Sequence, residues 1–192
     1  MESFYKKRIV LGITGASGIA YAIKTAEMLK QADCEIFCAV SDASKMVAQE
    51  EVGINLVERL QKVGVDKIYA ENDISAPIAS GSFRFDAMAV VPCSMKTLGK
   101  IANSIADNLV IRASEVALKE KRRLVIVPRE TPMATTQIRN MLTLSEAGAV
   151  ILPASPAFYF KPQKVEEMVS FVSARILASL EIERTFLKEW GM

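Results

Sequence analysis

The chain has 192 residues, of which 51% are hydrophobic, and its 24 Lys and Arg against 22 Asp and Glu give a net charge of +2. It contains no histidine, which excludes a Ser-His-Asp triad, a Cys-His pair and a His-ligated zinc site. The small net charge argues against nucleic-acid binding, and no apolar run reaches the ~18 residues of a membrane span. Three cysteines without a CxxC pair predict buried free thiols in the reducing cytoplasm.

Short apolar runs alternate with longer amphipathic stretches along the chain. The runs predict strands at 8–13, 35–40, 87–91, 124–127 and 149–152, and the stretches predict helices at 19–31, 43–63, 96–119 (broken near Asn103), 135–145 and 165–180. The runs are apolar on consecutive residues, as in strands that are covered on both faces. We therefore expect one α/β domain over residues 1–192, doubly wound around a mostly parallel sheet. Residues 71–84 are rich in Ser, Ala, Pro and Gly and predict a loop.

Small hydroxyl residues or charged pairs follow each predicted strand, where such sheets bind their ligands. The first of these segments, Thr14–Gly18, precedes a helix, so its free backbone N–H groups can hold a phosphate, although a plain tight turn remains the alternative. Its TGASG sequence is also similar to the nucleotide turn of short-chain dehydrogenases. That class is excluded because no tyrosine has a lysine four residues later.

Two later strand ends carry further candidates. Ser94, within Pro92–Thr97, suits a helix N-cap, and the same segment could contact an anion or a flavin phosphate. Cys93 is predicted to be a packed thiol, because no histidine can activate it. Arg129 and Glu130 follow a buried strand between two prolines and are either site residues or a solvated ion pair.

Cationic side chains near helices have two interpretations. Lys121, Arg122 and Arg123 are predicted to complement a helix dipole, whereas Lys119 and Arg112 remain open. Arg175 lies in an apolar helical sequence and is expected to need an anionic partner, either a carboxylate or a ligand phosphate. The sequence has no Walker motif and no Asp-rich magnesium motif.

Several segments together resemble the flavin prenyltransferase family, the UbiX type. The resemblance covers essentially the whole chain, and its most specific parts are PCSMKTL, VPRE and PxxPAFY in this order. The segments are GITGASG (12–18), APIASGSF (76–83), the stretch at 90–120, LVIVPRETPM (124–133), the stretch at 140–162 and the helix that carries Arg175.

The resemblance implies a flavodoxin-like, Rossmann-like subunit that binds FMN at a subunit junction within a dodecamer. The implied reaction transfers a dimethylallyl group from dimethylallyl phosphate to reduced FMN, with new bonds at N5 and C6. The product is the prenylated FMN that UbiD-type decarboxylases use. No metal is implied, and the phosphate that leaves is a candidate base for the proton lost from C6.

The resemblance also implies roles for individual residues. The FMN contacts would be Gly15, Ala16, Ser17, Ser41, Ser94, Met95, Lys96, Thr97 and Arg129. The prenyl-phosphate pocket would be Arg112, Lys119, Glu130, Tyr159 and Arg175, with Trp190 closing over the dimethylallyl group from the tail at 181–192. Ser17 and Glu51, with Glu130, would move protons at the flavin.

The sequence departs from the family at three positions. Gln137 and Arg139 replace residues of a motif that many members share, and Phe160 replaces a frequent histidine. FMN-dependent cysteine decarboxylases rank lower, because they rely on a catalytic histidine and a PASANT-like motif where this chain has PASPA. A flavin carrier without activity is a further alternative, although storage does not require a second phosphate pocket.

Overall fold

The computed structural model of the chain describes residues 5–182, which build a six-stranded sheet. The strands are β1 (Arg8–Ile13), β2 (Glu35–Val40), β3 (Lys67–Ala70), β4 (Ala87–Cys93), β5 (Arg123–Pro128) and β6 (Val150–Ile151). All neighbours pair in parallel, in the order β3-β2-β1-β4-β5-β6. The order reverses between β1 and β4, so the carboxyl ends of these two strands flank the crevice where doubly wound sheets bind ligands.

Helices cover both faces of this sheet. They are α1 (Ile19–Gln31), α2 (Asp42–Val52), α3 (Leu56–Val63), α4 (Met95–Ala102), α5 (Leu109–Lys119), α6 (Thr135–Glu146) and α7 (Val165–Ser179). One core cluster joins α1, α2, α3 and α7 to the sheet, and a second joins α4, α5 and α6 to its other face. Within residues 5–182, no helix has the length and apolar character needed to cross a membrane.

The two core clusters explain why the strand sequences are apolar on consecutive residues. Ile9, Leu11 and Ile13 of β1 belong to the cluster under α1 and α7, while Val10 belongs to the cluster under α4, α5 and α6. Alternate side chains of a strand point to opposite faces, and both faces are buried here. The predicted doubly wound, parallel fold is confirmed.

Two elements differ from the sequence prediction. The edge strand β3 was not predicted, because its residues KIYA are partly exposed and form no continuous apolar run. The single helix expected over 43–63 is two helices. Gly53 ends α2 in the left-handed region at φ 65°, and the side chain of Asn55 accepts from the backbone N–H groups of Val57 and Glu58 to begin α3.

Candidate active site

Thr14 joins the turn after β1 to the turn after β4. Its Oγ1 donates to the carbonyl of Pro92 at 2.8 Å and accepts from the N–H of Ser94 at 2.8 Å. The Thr14 N–H also donates to the Pro92 carbonyl at 3.3 Å. Thr14 is buried, so these bonds are shielded from water and hold the two turns as one surface. No local sequence pattern predicts this bridging role of Thr14.

The first turn of α4 presents open hydrogen-bond donors to this surface. Ser94 is the N-cap, as predicted: its Oγ accepts from the Thr97 N–H at 3.3 Å and donates to Thr97 Oγ1 at 3.0 Å. Among residues 5–182, the N–H groups of Met95 and Lys96 have no acceptor. The cap and the anion site are therefore compatible, because capping uses one N–H and leaves two at the positive end of the helix.

An acidic side chain from α2 occupies part of the turn before α1. The carboxylate of Glu51 accepts from the Gly18 N–H at 3.0 Å and from the Ile19 N–H at 3.2 Å. Glu51 thus occupies the Gly18 and Ile19 N–H groups, whereas those of Gly15 and Ser17 have no acceptor among residues 5–182, so a phosphate contact at this turn stays a prediction. The same bonds place the Glu51 carboxylate one residue from Ser17, which brings together the two residues expected to handle protons.

The turn after β1 also packs closely on the start of α2. A Cβ at Gly15 would overlap the Cβ of Ala43, so only glycine lets the turn approach this helix. Ser41 caps α2, with its Oγ accepting from the Ser44 N–H at 3.1 Å, and it is buried. The packing brings the predicted contacts at Gly15 and Ser41 to the same edge of the sheet.

Arg129 extends the surface beside α4. Its backbone N–H donates to the Cys93 carbonyl at 3.3 Å, and its side chain is exposed. Burial raises the pKa of the Tyr21 hydroxyl, and the positive charge of Arg129 opposes that rise. No ion pair in the described part of the chain joins Arg129 to Glu130, whose carboxylate accepts from the Thr131 N–H at 3.0 Å. The two side chains are therefore not the solvated pair considered as an alternative.

The predicted phosphate-pocket cations of α5 lie apart from this surface. Arg112 donates through Nε to the Ala79 carbonyl at 3.1 Å, and Lys119 forms an ion pair with Glu120. A Cβ at Gly81 would come within 2.8 Å of the Lys119 Nζ. Both cations therefore border the loop at 76–83, on the face of the sheet that carries α4, α5 and α6.

One chain does not bring Lys119 to the other predicted pocket residues. Lys119 ends α5 just before β5 begins, whereas Arg129 follows the end of β5. A six-residue strand separates these two edges of the sheet by about 20 Å. Arg175 lies on α7, which packs on the opposite face of the sheet from α5.

Arg175 and Tyr159 are both exposed. The sequence predicted an arginine amid apolar surface, but the buried residues of α7 are its neighbours Val172, Ser173, Ala174, Ile176 and Leu177. Arg175 therefore lies on the outer face of an amphipathic helix, and its expected anionic partner, a carboxylate or a ligand phosphate, stays a prediction. Tyr159 packs edge-on against Phe171. Trp190, the remaining predicted pocket residue, is outside the described residues.

The remaining sequence predictions concern the cysteines, the basic residues after α5 and metal binding. The three cysteines are free and buried, and burial raises their thiol pKa values, as expected for packed thiols. Arg122 donates to the carbonyls of Gly81 and Phe83, and Arg123 donates to the Ser179 carbonyl at the end of α7. These two arginines therefore bind carbonyls of the loop at 76–83 and of α7, and not the end of α5 whose dipole they were predicted to complement. Among residues 5–182, no group of His, Cys, Asp or Glu could hold a metal ion.

The fold and this edge define an α/β nucleotide-binding protein, and comparisons with known proteins agree. The family model described as Flavoprotein matches residues 2–177. The chain is 47% identical to flavin prenyltransferase UbiX of Thermoplasma acidophilum, over 95% of this chain and 99% of the relative. The chain therefore belongs to the UbiX family of flavin prenyltransferases.

Solved structures are similar over the full fold. AnUbiX (PadA1), crystallised with FMN and dimethylallyl pyrophosphate, has a TM-score of 0.94 at 37% identity, over 98% of this chain and 99% of that one. A dodecameric FMN-dependent Ubix-like decarboxylase from Escherichia coli O157:H7 has a TM-score of 0.91 at 37% identity, over 96% of this chain and 100% of that one. The peptidyl-cysteine decarboxylase EpiD, with a TM-score of 0.60 at 22% identity over 80% of this chain and 83% of that one, shares the fold alone.

Proposed function

We propose that this chain transfers a dimethylallyl group from dimethylallyl phosphate to reduced FMN, and that it needs no metal. The observation that carries the proposal is the open anion site at the first turn of α4, next to Arg129, in a chain of the UbiX family. Helix N-termini with open N–H groups bind phosphate monoesters such as that of FMN. A family neighbour of 37% identity was solved with FMN and dimethylallyl pyrophosphate, which supports both ligands.

The donor set at the carboxyl edge fits the phosphate of FMN. Among residues 5–182, the N–H groups of Met95 and Lys96 have no acceptor and lie beside the hydroxyls of Ser94 and Thr97, and the exposed Arg129 follows the neighbouring strand β5. Hydrogen bonds from charged donors to phosphate are shorter and stronger than neutral ones. The turn at 15–17 and Ser41 form the adjoining wall. When bound in its reduced form, FMN supplies the electron-rich N5 and C6 positions that receive the prenyl group.

Residues of the second pocket stabilise the leaving group. Breaking the allylic C–O bond leaves negative charge on the phosphate, and preorganised cations lower the energy of that charge. Arg112, Lys119 and Arg175 supply the cations, and Tyr159 and Glu130 complete the pocket. Ser17 and Glu51 hold and move protons at the flavin.

The second pocket forms between subunits of a homo-oligomer. The separation of Lys119 from Arg129 and Arg175 in one chain supports this arrangement, because no single subunit can place all three at one phosphate. The helix α6 supports it too: of its twelve residues only Leu144 is buried, while Ile138 and Leu142 are exposed. The dodecameric neighbour makes a dodecamer the expected assembly.

The product of the proposed reaction would be used by a second enzyme. Prenylated FMN would pass to a UbiD-type decarboxylase in the cytoplasm, where the buried free thiols stay reduced. Residues 1–192 would form one FMN-binding domain.

A single reaction tests the proposed function. The purified protein is loaded with FMN, reduced without oxygen and mixed with dimethylallyl phosphate, and the flavin is then analysed by mass spectrometry. We expect a flavin heavier by one C5H8 unit, and much less of it from Arg129→Ala protein. An unmodified flavin with both dimethylallyl monophosphate and diphosphate would contradict the proposal.

A further inference from the structure

Three aromatic rings fasten the loop after β6 to α7. Phe160 stacks on Phe171, with ring centroids 5.2 Å apart and an angle of 14° between the planes. Tyr159 meets Phe171 edge-on at 6.0 Å and Phe160 at 5.9 Å. Offset-stacked and edge-to-face pairs at these distances are the favourable arrangements of aromatic rings. We refer to Tyr159, Phe160 and Phe171 as the aromatic cluster.

The aromatic cluster lies next to Arg175 on the same helix face. Phe171 and Arg175 are four residues apart in α7, so they share one face, about 6 Å apart along the axis. Side chains on a helix lean toward its N-terminus, so the long Arg175 side chain is directed toward the turn of α7 that carries Phe171. Arg175 is exposed and forms no ion pair within the described residues, so its charge remains available to a ligand.

The structure of this cluster also accounts for Phe160. After Tyr159 the chain has a second ring, that of Phe160, which stacks on Phe171. The stack fastens Phe160, the residue that follows Tyr159, to α7.

We propose that Phe171, assisted by Phe160, is a positioning residue of the prenyl-phosphate pocket, which holds the Tyr159 hydroxyl beside Arg175 so that both bind the same phosphate. The inference rests on the proposed function and deepens it. Phe171 itself touches no phosphate and acts through Tyr159. One chain therefore supplies both Tyr159 and Arg175 to a pocket, whereas Lys119 must come from another chain.

The test is the affinity for dimethylallyl phosphate of FMN-loaded, oxidised enzyme, measured by calorimetry without turnover. We expect Phe171→Leu, which keeps an apolar side chain, to weaken this binding about tenfold while the affinity for FMN stays unchanged. In a Tyr159→Phe background the same substitution should cost nothing further, because the hydroxyl that it positions is already gone. Phe158→Leu is the matched control: Phe158 is 71% exposed, outside the aromatic cluster, and its variant should bind like the wild type.

Three results would overturn the inference. The first is wild-type affinity in Phe171→Leu, and the second is an equal loss with and without the Tyr159 hydroxyl. The third concerns the case in which the Phe171→Leu protein also loses FMN or thermal stability. Phe171→Tyr, which keeps the ring, should then bind dimethylallyl phosphate like the wild type. Weak binding by this second variant would contradict the positioning role. Failure of the proposed function would look different, since the wild type itself would then not bind dimethylallyl phosphate or not form prenylated FMN.

Discussion

At the scale of single residues, two buried threonines differ in whether their hydroxyl groups form hydrogen bonds. Thr14 Oγ1 makes two hydrogen bonds of 2.8 Å between the turns of β1 and β4. Thr25 Oγ1, buried in α1, has no hydrogen-bond partner among the described residues. The carbonyl one turn before it, that of Tyr21, accepts from Ser173 of α7 instead. The same substitution, threonine to valine, should therefore change stability in opposite directions at the two positions.

Thr14→Val should destabilise the protein and weaken FMN binding. The substitution leaves the buried Ser94 N–H without its acceptor, which costs about 1–3 kcal/mol. It also loosens the cap residue of α4, so the dissociation constant for FMN should rise. Urea denaturation and fluorescence titration with FMN measure the two effects. A variant with wild-type stability and wild-type FMN affinity would show that the bridge between the turns has no such role.

Thr25→Val should stabilise the protein by about 1 kcal/mol, because an unsatisfied hydroxyl is replaced by a methyl group of similar shape. The urea midpoint should rise at an unchanged m-value, and FMN binding should not change. A lower midpoint would mean that the Thr25 hydroxyl is satisfied in solution, for example by a buried water.

At the scale of secondary-structure elements, Glu71 connects three of them at the carboxyl edge. It follows β3, and its carboxylate accepts from the Asp42 N–H at the start of α2 and from the Asn108 side chain that caps α5, both at 2.9 Å. Its carbonyl also accepts from the Leu109 N–H at 2.7 Å. Glu71 therefore ties the helix of Ser41 to the helix of Arg112.

Glu71→Ala should lower the free energy of unfolding by about 1–2 kcal/mol, since two hydrogen bonds and a favourable charge at a helix N-terminus are lost. FMN affinity should fall as well, because the start of α2 carries Ser41. The control is Glu50→Ala, because Glu50 is an exposed residue of α2, the helix that Ser41 caps. Equal effects of the two substitutions on thermal stability and FMN binding would argue against the connection.

The elements also show what the sequence predicts and what it does not. Five strands followed from continuous apolar runs, and the hydroxyl and charged residues at their ends followed from the rule that ligands bind at the carboxyl edge. The edge strand β3 lacks such a run because little of it is buried. Glu51 capping α1 and Thr14 bridging two turns depend on contacts between residues distant in sequence, which no local pattern encodes. The position of Lys119 just before β5 was a usable signal that it lies at the opposite edge.

At the scale of the whole molecule, the account requires more than one subunit for each site. Lys119 lies about 20 Å from the edge that carries Arg129, and Arg175 lies on the opposite face of the sheet. In the proposed assembly, each phosphate pocket would therefore take Lys119 from one subunit and Arg175 from another. A closed symmetric assembly repeats this contact for every site. Activity should consequently be recoverable from two different inactive variants.

The most direct measurement is such a complementation, with prenylated FMN detected by mass spectrometry. Lys119→Ala and Arg175→Ala proteins are each expected to form little product. Assembled together in equal amounts, they should regain about a quarter of the wild-type yield, since about one site in four then receives both native side chains from its two contributing subunits. Mixed oligomers that form no more product than either parent, beside an active wild type, would contradict the account.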